Sequence, residues 1–73
     1  MTDAELVVHF AEHLPESQVA GLVSGIAAYG DVVPDQGTHS FKVTVFRQSK
    51  LPRLKEQLVE WERYGFLRWQ DAA

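Results

Sequence analysis

Two stretches of this chain echo one another, and the echo restricts what the chain can fold into. Val8-His9-Phe10…Leu14-Pro15 returns as Val45-Phe46-Arg47…Leu51-Pro52 at an offset of 37 residues. At an offset of 35, Val19, Val23, Ile26, Tyr29 and Gly30 fall on Leu54, Leu58, Trp61, Tyr64 and Gly65. Leu-Pro and Tyr-Gly are common dipeptides. Five positions matched in register, three of them an apolar stripe, are harder to assign to chance. A unit of strand, Leu-Pro, helix, Tyr-Gly and strand therefore occurs twice. The two offsets predict a second helical segment about two residues shorter than the first.

The clearest strand is Phe41-Lys42-Val43-Thr44-Val45-Phe46. Val, Thr and Phe suit a pleated, half-buried surface. Turn residues bound it, Pro34-Asp35-Gln36-Gly37 before and Ser49 with Pro52 after. Alternation puts Phe41, Val43 and Val45 on an apolar face and Lys42, Thr44 and Phe46 on a mixed one, the pattern of a sheet covered on one side. Glu5–Ala11 reads as the first strand, with Leu6, Val8 and Phe10 toward the core and His9 on the face of Lys42 and Thr44. Asp31–Val33 reads as a short edge strand ended by Pro34. The turn that follows places Gly37 at positive φ and returns the chain as a hairpin. Phe66–Gln70 is the last strand, and Asp71-Ala72-Ala73 is expected to fray.

Two helices separate these strands. The first runs from Pro15, at an early helical position, to about Tyr29; Val19, Leu22, Val23 and Ile26 make its buried stripe. Gly30 stands where a left-handed C-terminal residue is expected. Gly21, Ser24 and Gly25 are poor helix formers, so packing must hold this helix. The two glycines either admit a neighbour closely or lie exposed. The second helix opens at Ser49 or Lys50 and runs to about Tyr64, with Leu51, Leu54, Leu58 and Trp61 as its stripe and Gly65 as its stop.

The β-α-β-β-α-β order over residues 5–70 resembles the ferredoxin-like, split-βαβ small domains. The resemblance implies an α+β two-layer sandwich: a four-stranded antiparallel sheet with two helices on one face and the other face open. It implies that the first and third strands are central and adjacent. It names no function, because many functions share the architecture.

Size and composition narrow the field. Seventy-three residues make one small domain, 1–73, with its ordered core at about 5–70. The absence of cysteine removes disulfides and thiolate metal sites and makes a reducing cytoplasm the expected location. A formal charge of −3 runs against the basic footprint of a nucleic-acid binder. No apolar run approaches a membrane span, and the acidic Met1–Glu5 start is unlike a signal peptide.

Candidate chemistry is sparse. His9 and His13 are four apart but straddle a strand end and a loop, so they lack the preset geometry of a helical pair, and no metal is expected. Ser17, Ser24, Ser40 and Ser49 occupy no elbow motif and stand beside no histidine with an orienting acid; Ser40 neighbours His39, but adjacent strand residues point to opposite faces. Glu56 and Glu60, at i and i+4, read as a solvated helix face. No Gly-rich phosphate loop is present, so neither a catalytic residue nor a cofactor is expected. RNA-recognition domains share the topology and stack bases on aromatics of the two central strands. Here Phe41 and Phe46 match their third-strand pattern, the basic-Gly opening is missing, Val43 replaces the second stacking aromatic, and Phe41 falls on the core face.

The expectation is a non-catalytic regulatory module that binds another protein, possible also as a homodimer. Its contact candidates are His9, Lys42, Thr44, Phe46 and Glu60, joined on the open face by Val7 and Arg68. Ten acidic residues suggest an inhibitor seated in the basic groove of a nucleic-acid-binding complex. The alternatives are an RNA-recognition-like domain and a domain sensing a small molecule at a dimer interface.

Overall fold

The computed structural model describes residues 4–35, 37 and 39–72. Its elements are β1 (Ala4–Phe10), α1 (Glu16–Ala27), β2 (Asp31–Pro34), β3 (Ser40–Val45), α2 (Leu51–Arg63) and β4 (Leu67–Asp71), with a 3₁₀ turn, Gln48–Lys50, leading into α2. The strands form one sheet in the order β2-β3-β1-β4, every neighbouring pair antiparallel. This is the α+β two-layer arrangement that the resemblance implies, with β1 and β3 at the centre.

Alternation decides which side is covered. In β1, Leu6, Val8 and Phe10 are fully buried; across the ladder Leu6 pairs with Val43 and Val8 with Phe41. Val19 and Ile26 of α1 and Leu54 and Leu58 of α2 join these strand residues in one apolar cluster, so both helices lie on the same face. Burying Leu54 and Leu58 stabilises α2 by roughly 1.5–3 kcal/mol each. Phe41 is only half-buried, but its ring meets Phe10 edge-on at 5.7 Å on the core side.

The weak helix formers of α1 serve two ends. Gly21 faces open space, whereas a Cβ on Gly25 would stand 3.2 Å from the indole Cη2 of Trp61. The missing side chain at Gly25 is what lets α2's Trp61 lie against α1.

Several boundaries differ from expectation. The two helices have 12 and 13 residues, so the second is not the shorter. The spacing difference is absorbed at their starts: Pro15 is the N-cap of α1, whereas Pro52 lies inside the first turn of α2, which the 3₁₀ turn has already opened. Gly30 is not a left-handed cap. The left-handed glycines are Gly37 (φ 76°) and Gly65 (φ 80°), as the turn and stop signals require. Gly30 is small because β3 passes over it: an added Cβ would run into the Thr44 carbonyl oxygen, 3.0 Å from the Thr44 carbonyl carbon and 3.1 Å from the Val45 Cα. At the C-terminal end, Asp71 belongs to β4 and pairs with Leu6 and, at 3.5 Å, with Lys55; the Ala72 amide donates to the Glu5 carbonyl at 2.9 Å. These contacts hold a segment expected to fray. Gln36 in the hairpin turn and Ala73 at the end lie outside the described residues; the turn is closed by the Asp35 amide donating to the Ser40 carbonyl at 2.9 Å.

Candidate functional site

The side of the sheet away from the helices has no covering element among the described residues, and the ladder register sets out its residues in three rows. Asp31, Thr44 and Glu5 form the first. Val33, Lys42, Val7 and Gln70 form the second. Ser40, His9 and Arg68 form the third. Because these positions alternate with core-facing ones on β1, β3 and β4, and those of β2 pair with them, their side chains point away from the core. Three of the expected contact residues, His9, Lys42 and Thr44, are therefore brought together, with Val7 and Arg68 beside them.

Each row has its own chemistry. Lys42 Nζ lies 3.4 Å from Glu5 Oε2, an ion pair with both side chains roughly half exposed. Such a pair contributes at most about 1 kcal/mol. Its effect on the surface is larger, because it draws the ammonium toward the first row and leaves the Lys42 stem between Val33 and Val7. Val33 is 56% exposed, a large apolar side chain on the outward side of the sheet.

In the third row His9 and Ser40 are directly opposite, and His9 Nδ1 shares a hydrogen bond with Ser40 Oγ at 2.6 Å. His9 Nε2 lies 3.7 Å from Glu12 Oε1. Ser40 thus does stand beside a histidine with an acid behind it, contrary to the sequence expectation; the histidine is His9, 31 positions away, and not the adjacent His39. Only the strand register creates this chain of three, and no local motif announces it. The Glu12 side chain is 83% exposed and His9 51%, so water screens the carboxylate and hydrates the imidazole. A cleft of about 560 Å³ between the end of β1, the start of β4 and the end of α2 is lined by His9, Glu12, Glu62, Leu67 and Arg68, but not by Ser40. The hydroxyl therefore faces the open sheet, and of the three only His9 and Glu12 reach the cleft.

The other two histidines go elsewhere. His39 Nε2 donates to the Leu14 carbonyl at 3.0 Å, and its own carbonyl accepts from the Phe10 amide at 2.7 Å, pinning the loop after β1 to the hairpin. His13 is exposed in that loop. Among the described residues, no group of three or more His, Asp or Glu is placed to hold a metal ion.

The remaining two candidates lie off the face. Phe46 is one residue past β3, 56% exposed, in a hollow with Tyr29, Gly30, Arg47 and Lys50 at the end of α1. Glu60 is on α2, in the helical layer, beside Tyr29, Arg53 and Glu56. No Phe, Tyr or Trp occupies a row position, and Phe41 is engaged with Phe10 on the opposite side. Among the described residues, no helix is long and apolar enough to cross a membrane. Comparison with protein-family models, with curated proteins and with solved structures finds no match.

Proposed function

We propose that the protein is a non-catalytic contact module that binds another protein through its uncovered sheet face and regulates by occupying that partner's surface. One observation supports this reading above the rest: the central row pairs the 56%-exposed Val33 and the half-buried Val7 with the stem of Lys42, inside a border of charged and hydroxyl side chains. An apolar centre with a polar rim is the composition of a protein interface. A base-stacking surface would instead need aromatic rings in the rows. The inhibitor variant draws its support from the acidic excess alone, since the acids of α2 are interleaved with Arg53, Lys55 and Arg63.

The test is a photo-crosslinking residue placed in turn at Val7, Gln70 and Glu60 in cells that make the protein. Protein adducts from positions 7 and 70, with few from 60, are expected. Adducts from position 60 alone would move the contact to the helical layer. Ester hydrolysis lost on His9→Ala, or single-stranded RNA bound at moderate salt and lost on Phe46→Ala, would replace the reading altogether.

A further inference from the structure

The sheet ends in two strands, β2 and β4, and their free edges differ. In an antiparallel ladder, alternate residues turn both backbone groups toward the partner strand and those between turn theirs away. The Asp35 amide donates to the Ser40 carbonyl, so Asp31 and Val33, of the same parity, face β3, and Val32 and Pro34 face outward. Pro34 has no N–H to offer, which blunts that edge. On the other side of the sheet the Phe66 carbonyl accepts from the Ala11 amide, and the Ala72 amide donates to the Glu5 carbonyl. Arg68 and Gln70, of that parity, therefore face β1, and Leu67, Trp69 and Asp71 turn their amides and carbonyls outward. No proline or glycine interrupts β4.

We infer that the outward edge of β4 pairs, antiparallel, with β4 of a second copy of the chain, so that two sheets join as one. The flank of α2 beside that edge argues for this occupant. Trp61 marks the flank toward α1, where its ring meets Gly25. Lys55 marks the opposite flank: its Nζ is 3.5 Å from Asp71 Oδ1 and 5.9 Å from the centre of the Trp69 ring. Val59 follows Lys55 by four residues, so it stands on the same flank, and it is 43% exposed. A lone strand from another protein would satisfy the backbone of β4 and leave Val59 in water. A second copy brings its own α2 alongside and covers it.

Symmetry and charge select the register. In a dimer with one twofold axis the same edge meets itself, and outward-facing residues must meet outward-facing ones. An axis at Arg68 would set two guanidinium groups together. An axis at Trp69 would set each Asp71 across from the buried Leu67 of the mate. An axis at Gln70 avoids both: Gln70 meets Gln70, and Trp69 lies opposite Asp71 of the second copy, the two exchanging both backbone bonds. Lys55, already beside its own Asp71 and over Trp69, then stands between two carboxylates, and the mate's lysine does the same. Directly opposed residues project to one face of a sheet. Trp69 and Asp71 lie on the helical side, so the two α2 helices come together and the uncovered faces become continuous and stay free. The joint is thus a second surface, separate from the one assigned to a partner protein above.

The experiment is sedimentation equilibrium of the purified full chain from low micromolar to millimolar concentration, with amide hydrogen exchange read residue by residue by NMR at both ends of the range. The wild type is expected to reach two-chain mass. Exchange at the Trp69 and Asp71 amides is expected to slow by at least about tenfold as it does, while the outward Val32 amide of β2 is unchanged. Asp71→Pro removes an outward donor and sets a ring at the edge, without touching a bond to β1. Val59→Glu charges the flank of α2 and leaves the strand intact. Both positions are exposed, and circular dichroism verifies that the variants fold. Each is expected to weaken association by at least about tenfold. A wild-type monomer at millimolar concentration overturns the inference. So does a dimer that survives Asp71→Pro or that protects Val32 instead. A dimer lost on Asp71→Pro but indifferent to Val59→Glu also overturns it, because the strands would then pair without the helices. Crosslinking at Val7, on β1 and away from the joint, reads the contact proposal separately from all of these.

Discussion

Three glycines of this chain have different surroundings, and alanine at each should change stability with a different sign. At Gly30 the new methyl meets only backbone: the Thr44 carbonyl oxygen in direct overlap, the Thr44 carbonyl carbon at 3.0 Å and the Val45 Cα at 3.1 Å. No side chain can rotate away, so β2 must move off β3 where Asp31 pairs with Thr44. Overpacking of this kind costs about 1–3 kcal/mol, and a weakened ladder hydrogen bond adds about 1. The entropy gained by removing a glycine offsets about 0.4–1 kcal/mol. Gly30→Ala should therefore destabilise by about 1–3.5 kcal/mol. At Gly21 nothing lies within 4 Å, and the position is the interior of α1, so Gly21→Ala should stabilise by up to about 1 kcal/mol. At Gly25 the only close atoms belong to the Trp61 ring, a side chain that can tilt, so the helix gain and the packing loss should nearly cancel. Urea titration and thermal melts followed by circular dichroism measure all three. For a domain of this size, about 4–8 °C accompany each kcal/mol, so the first two variants should melt on opposite sides of the wild type. A Gly30→Ala protein within about 0.5 kcal/mol of the wild type would refute the close approach of β3. A Gly21→Ala protein no more stable than the wild type would refute the claim that this exposed glycine weakens α1.

Two further substitutions test the frame around the face. Leu54→Ala empties a fully buried site between α2 and the sheet and should cost about 2–5 kcal/mol in the same urea titration, whereas Leu51→Ala, at a half-buried position, should cost less. Gly65→Ala has open space around it but φ of 80°, so it should cost about 1–2 kcal/mol through the backbone alone; an unchanged midpoint would mean that the turn into β4 relaxes.

Most of the frame was legible because it follows from period. Alternation in Leu6, Val8, Phe10, Val43 and Val45 sorted both central strands into a buried and an open side, and all five are fully buried. Gly37 and Gly65 were legible as turn and stop because positive φ leaves few other residues. What escaped reading depends on partners distant in the chain. Gly30 looks like a helix cap beside Tyr29, and only the passage of Thr44 over it reveals its role. Ser40 looks isolated until the β1–β3 register sets it opposite His9. Phe46 extends the alternation of β3 by one residue, but the ladder ends at Val45, so it stands at the sheet's end and not within the rows. Among the proposed contact residues, His9, Lys42 and Thr44 could be grouped from strand parity. Glu60 could not, because a helix position says nothing about which layer faces outward.

The order β2-β3-β1-β4 has a consequence for how the two similar halves depend on each other. Each of the three ladders, β1 with β3, β1 with β4 and β2 with β3, joins a strand of the first half to a strand of the second. Within the first half, β1 and β2 never touch, because β3 lies between them; within the second, β3 and β4 are parted by β1. Neither half on its own holds a single strand pair. A chain divided in the hairpin after β2 would leave two pieces with no sheet to form until they met, each supplying what the other lacks. The two echoing halves are therefore not two self-sufficient sheets but the complementary parts of one, joined by a short loop.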